Sequence, residues 1–126
     1  MLTRIPNELF GTYSDAVVVD MGSHATIYVS GHVGHNASGK IAATSFADEA
    51  GQCFANLARS LERCGAGLKD VVRITAYLTS LANYPAYSRA RSAAFADHTP
   101  ASATVRVSGL LLGARLEIDA VAVVKH

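Results

Sequence analysis

The stretch SFADEAGQCFANLARSLERCGAGLKDVVRITAYLTSL, residues 45–81, decides how the rest of the chain must fold. Its first half sets Phe46, Ala50, Cys53, Phe54, Leu57, Ala58, Leu61 and Cys64 at three- and four-residue steps, one apolar face of a helix. Ser45 followed by Asp48 resembles a capping box with Asp in place of the usual Glu, and Gly65 and Gly67 supply the stop. From Asp70 to Leu81 the period drops to two. Val72, Ile74, Ala76 and Leu78 then fall on one side of a strand, with Val71, Arg73, Thr75 and Tyr77 on the other.

On the N-terminal side, Tyr13–Asp20 (YSDAVVVD) and Thr26–Gly31 (TIYVSG) are β-branched and aromatic runs. MGSHA between them carries the residues of a turn, so the pair reads as a hairpin. Asn36–Lys40 (NASGK) is a second turn signal. On the C-terminal side a second helix is expected from about Pro85 to Ala96. Asn83 or Tyr84 stands in its cap region, Pro85 in its first turn, and Tyr84, Tyr87, Arg91, Ala94 and Phe95 at helical spacing. Pro100 ends it. Ser102–Val107 and Arg115–Val124 alternate as strands on either side of SGLLLGA. The expected order is ββαβαββ, an α+β fold with one mixed sheet and both helices on one face. A strand–helix–strand unit makes its flanking strands parallel. All 126 residues fit one domain, 1–126.

Such a sheet has a helix-free face. Val17, Val19, Tyr28, Val105, Val107, Ile118 and Val121 cannot all point at two helices, and leaving them wet costs about 25 cal/mol per Å² of apolar area. With half of the residues hydrophobic, association through the bare face is expected, although this reasoning does not fix the number of copies.

Charge excludes other classes. Eleven basic and ten acidic residues are scattered along the chain, with no basic stripe for nucleic acid. No apolar run approaches the ~20 residues of a membrane span, and the N-terminus lacks a signal core, so a soluble, cytoplasmic protein is expected. Cys53 and Cys64, eleven residues apart on one helix, lie about 16 Å apart along its axis, too far for a disulfide. Both read as reduced, buried thiols. His32 and His35, with His24 before them, lack a matching set of ligands at metal-site spacing, so no metal is expected. Glycine-rich phosphate loops, G-x-S-x-G and H-E-x-x-H are absent.

Six segments, in order and at the right spacing, resemble the RidA/YjgF family. Gly11–Ala16 is similar to its GPYSQA and Tyr28–Gly31 to its (I/Y)VSGQ, and the helix with Gln52, Asn56 and Leu57 follows. Asp70–Thr79 resembles DVVKxTVFLT, Pro100-Ala101 opens the strand that begins PAR, and Leu116–Ala122 is similar to VEIEAIA. The resemblance implies a chorismate-mutase-like subunit and a homotrimer whose sheets form a central barrel, with small-molecule clefts between subunits. It also implies hydrolysis of reactive enamines and imines, such as 2-aminoacrylate, to a keto acid and ammonia without a cofactor. The residues implied for the pocket are Tyr13, Ser30 and Gly31, with Asp119 as the carboxylate.

The family's pocket arginine is missing. Ser102 stands in its place, Asp119 replaces the usual Glu, and Ser88 and Arg91 replace frequent Asn and Tyr. A serine donates one hydrogen bond but neutralises no charge, so alone it should hold a carboxylate about 10–100-fold more weakly. Arg91, on the helix that lines the family pocket, is the better candidate for the lost grip. Arg106 shares the strand parity of Ser102 but lies about 13 Å further along. Asp119 is expected to orient water or shuttle protons and Tyr13 to stack on or hydrogen-bond the ligand. Thr104, on the face of Ser102, would offer its carbonyl to a ligand amine, and His32 would reach the pocket beside Ser30-Gly31. Two readings follow: an imine deaminase with altered substrate preference, or a non-catalytic trimer that binds a small metabolite.

Overall fold

The computed structural model describes residues 1–126, built from six strands and two helices. In chain order these are β1 (Leu2–Pro6), β2 (Ser14–Asp20), β3 (His24–Val33), α1 (Phe46–Arg63), β4 (Val71–Leu78), α2 (Tyr84–Ala94), β5 (Ala101–Arg106) and β6 (Leu116–Lys125). One mixed sheet runs β1-β2-β3-β6-β4-β5. The α+β order expected from sequence is present with one strand more. β1 pairs antiparallel along β2 from Leu2↔Val19 onward, and its five residues are largely exposed. The last strand, β6, inserts between β3 and β4 and runs antiparallel to both, while β4 and β5, joined through α2, are parallel.

Both helices lie on one face. At the start of α1 the Ser45 side chain accepts from the Asp48 amide at 3.1 Å, as the Ser45/Asp48 pattern suggests. The apolar stripe of α1 packs through Cys53, Phe54, Leu57 and Leu61 against Ile27, Ile74, Leu78, Leu116 and Ile118 of the sheet. α2 contributes Tyr87, fully buried, whose ring stacks on Phe54. Cys64 caps α1 and is only half-buried, unlike Cys53, and both thiols are free.

The opposite face is open. Tyr28 is 53% exposed and Val105 42%, and Val17, Val19 and Val121 are only half-buried. Two sequence expectations need correction. Ile118 points into the core, completely buried, because its strand parity places it with Leu116 and Ala120. In β4 a register shift between Val71 and Arg73 turns Val71 inward and leaves Val72 exposed. The regular alternation expected there resumes at Arg73.

Two features set the start of β6. Glu49 of α1 is completely buried and accepts from both the backbone amide and the Nε of Arg115, each at 2.7 Å. Gly34 passes so close to the Glu49 carbonyl that a side chain there would collide with helix backbone. A second register shift, between Val29 and His32, puts Ser30 and Gly31 in a bulge of β3 opposite Asp119 of β6. No helix is long and apolar enough to cross a membrane.

Candidate functional site

The bulge opens one wall of a cleft of about 1130 Å³. Its other walls are the loop from Asn7 to Tyr13, the middle of α1, and the turn at Leu111-Leu112. The loop is fixed locally. Asn7 Oδ1 accepts from the amides of Leu9 and Phe10 at 2.9 and 2.6 Å, while its Nδ2 donates to Asp15 at 2.8 Å. Arg63 of α1 then binds Asp15 at 2.8 Å, and Arg59 binds Glu8 at 3.0 Å.

Ser30 Oγ donates to the Ser14 carbonyl at 2.6 Å, which joins the two strands behind the bulge. His32 is buried. Its Nδ1 lies 2.7 Å from the Ser30 carbonyl, which can only accept, so Nδ1 carries the proton. Nε2 is then the acceptor, and Ser60 Oγ donates to it at 2.7 Å. Burial pulls the His32 pKa below the ordinary imidazole value, which keeps the ring neutral.

Three carboxylates line the cleft, and Glu8 and Asp15 are tied to Arg59 and Arg63, which leaves Glu117 as the unpaired one. Glu117 makes no hydrogen bond or ion pair, and burial, seconded by the negative charge of Asp119, raises its pKa above the ordinary glutamate value. The carboxylate lies over Gly31, where a built Cβ would stand 2.5 Å from Oε2, so only glycine leaves it room. Tyr13 shares this wall. Burial raises its pKa, and the charges of Asp15 and Glu117 add to the effect.

The sequence-chosen residues form two groups. Tyr13, Ser30, Gly31 and His32 line the cleft with Glu117. Asp119 does not line it. Its carboxylate accepts from Tyr77 at 2.9 Å on the open face of the sheet, and Glu117, two residues earlier with the same parity, stands in the cleft instead. Ser88, Arg91 and Ser102 meet elsewhere. Arg91 donates to Ser102 Oγ at 3.2 Å, Tyr84 Oη at 3.3 Å and Ser88 Oγ at 3.4 Å, and its guanidinium carbon stands 5.2 Å from the centre of the Tyr87 ring. No carboxylate pairs with it. Thr104 is close by, opposite Ala76 on the helix-covered face that also carries Ser102, while Arg106 is exposed at the end of β5. Glu117 and Ser102 therefore project from opposite faces of one sheet. Sequence reasoning missed Glu117, Ser60 and Tyr84. Strand parity alone made Glu117 and Asp119 equivalent.

Charge, burial and geometry thus give a desolvated acid beside a tyrosine and a glycine-lined bulge. They also give, apart from it, an arginine ringed by hydroxyls. Known proteins share the frame that carries both. Residues 5–124 match the family described as Endoribonuclease L-PSP. The rat protein named 2-iminobutanoate/2-iminopropanoate deaminase is 36% identical over 114 residues, 90% of this chain and 80% of its own. A protein of the same name from Dermatophagoides farinae is 32% identical over 98% of this chain and 94% of its own. The crystal structure of RidA from an Antarctic Psychrobacter superposes with a TM-score of 0.81 at 30% identity, covering 96% of this chain and 94% of that one. With near-complete coverage in sequence and in structure, the chain belongs to the RidA/YjgF family.

Proposed function

We propose that the protein is a cofactor-independent imine deaminase, working at clefts between the subunits of a homotrimer. The observation that carries this reading is Glu117, an unpaired carboxylate with a raised pKa held over Gly31 beside Tyr13. The names of the rat and mite relatives support the reaction type.

Hydrolysis of an imine needs a water aimed at carbon and protons moved to nitrogen. Glu117 takes a proton from water as the water oxygen bonds to the C=N carbon. The π pair moves to nitrogen, which receives that proton from Glu117 to give a carbinolamine. The C–N bond then breaks, the hydroxyl proton passes through Glu117 to the leaving nitrogen, and a keto acid and ammonia result. A raised pKa suits one group to both transfers.

Arg91 supplies the grip on the substrate carboxylate. It is unpaired, half-buried over the Tyr87 ring and already donates to the hydroxyl at the family's arginine position, Ser102. Because Ser102 and Glu117 leave opposite faces of the sheet, the Arg91 that serves one Glu117 belongs to a neighbouring subunit. The open apolar face supports association of that kind.

Ammonia release from freshly generated 2-aminoacrylate tests the reading, in wild type, Glu117→Gln and Arg91→Ala. Loss in the first variant and a raised KM in the second are expected. Full activity in Glu117→Gln would remove the mechanism, and a wild type that binds keto acids but releases no ammonia would leave a non-catalytic metabolite binder. Sedimentation as a single chain at micromolar concentration would remove the shared cleft.

A further inference from the structure

Deaminase chemistry on the smallest imines needs little apolar contact, yet this cleft has an apolar rim. Leu111 is 79% exposed and Leu112 47%, and Phe10, which lines the same cleft, is 52% exposed. None of the three belongs to the hydrophobic core or packs against it.

Leu112 adds a second observation. Its backbone sits at φ 61°, ψ 14°, and it is the only residue other than glycine with positive φ in the chain. A left-handed conformation costs an L-residue stability and is ordinarily given to Gly or Asn. Gly113 follows at φ 70°, so the turn already uses glycine where it needs one. The Ala114 amide donates to the Leu111 carbonyl at 3.1 Å, which closes the turn. A strained residue that shows an apolar side chain to a cleft, and gains no core contact from it, is a feature of the site and not of the fold.

We infer that Leu111, Leu112 and Phe10 form an apolar subsite and that the protein prefers imines with a bulky apolar side chain, branched aliphatic or aromatic. The inference rests on the deaminase reading, because Glu117 and the carboxylate grip orient the reacting end while the side chain extends to the rim. An apolar pocket discriminates by roughly 10–200-fold for each methylene-sized contact, so the preference is measurable.

The test uses imines generated in place by an amino-acid oxidase from alanine, leucine and phenylalanine, with kcat/KM measured for each. Wild type should favour the leucine- and phenylalanine-derived imines over the alanine-derived one by about tenfold or more. Leu111→Ser and, independently, Phe10→Ser should lower that ratio by about tenfold, and Leu112→Gly should lower it while raising thermal stability through relief of the backbone strain. Equal or faster hydrolysis of the alanine-derived imine by wild type overturns the subsite and leaves the deaminase reading in place. Hydrolysis of none of the three overturns both. Variants that keep the wild-type ratio but change the sedimentation coefficient would assign the leucines to the contact between subunits and overturn the subsite.

Discussion

Two glutamates meet two glycines in this molecule, with opposite results. Glu49 lies beneath Gly34, completely buried, and its carboxylate is fully engaged by the amide and guanidinium of Arg115. Glu117 lies over Gly31, half-buried, with no cation and no hydrogen-bond donor. Position relative to the sheet makes the difference. Glu49 sits between helix and strand, where an unpaired charge could not persist, whereas Glu117 faces the cleft, where partial desolvation raises its pKa without expelling it from water. The first acid holds the fold in register, and the second remains free for chemistry.

The contrast breaks first at Arg115. Arg115→Ala leaves Glu49 charged and buried, and a loss of about 3 kcal/mol of stability is expected in chemical denaturation. That is the low end for a broken buried pair, because the Arg115 amide remains as donor. Glu117→Gln should do the reverse, with an unchanged melting temperature and a rate of ammonia release lower by roughly 10²–10⁴. Gly31→Ala sharpens the distinction. Its methyl group displaces only the end of a movable side chain, so a folded protein with about 10²-fold lower activity is expected. Gly34→Ala, which meets helix backbone, should be visibly destabilised.

The pH dependence follows from the same acid. Glu117 must start ionised to accept a proton from water, so kcat/KM is full above its raised pKa and falls as pH drops through it. The acid limb of the profile should therefore lie above the ordinary glutamate value and disappear in Glu117→Gln. The smallest effect belongs to the buried histidine. Since burial holds the His32 pKa below its unfolded value, its contribution to stability is present above the unfolded pKa and lost as pH falls through the folded one. Ser60→Ala, which removes the donor to Nε2, should cost about 1 kcal/mol in denaturation at neutral pH.

Much of the frame was legible because it rests on local periodicity. The stripe of α1 and its Ser45 cap carry their own signal, and so do the Pro85 start of α2 and the hairpin of β2 and β3. Leu2–Pro6 carries almost none. It becomes a strand only because Val17–Val19 offers an edge, a long-range fact with no trace in five residues. The turn of Val71 into the core is a bulge, and one-residue shifts of that kind are invisible to a period-two reading. In the site, the residues of the bulge and Tyr13 were identified through family resemblance. Choosing between Glu117 and Asp119 required knowing which one reaches Gly31, and the two share a strand face. Arg91 was a candidate by position, but only the structure brings its guanidinium to Ser102.

The placement of Ser102 and Glu117 on opposite sides of one sheet has a genetic consequence. In the trimer proposed above, each reaction centre borrows its acid from one polypeptide and its cation from the next. Co-expressed Glu117→Gln and Arg91→Ala chains should then reconstitute intact centres, with wild-type KM, from one inactive and one weakly binding parent. A polypeptide that carries both lesions should spoil two of the three centres in a ring it shares with two normal chains, and all three where two such chains meet, so a doubly defective allele should depress activity more than the loss of one gene copy.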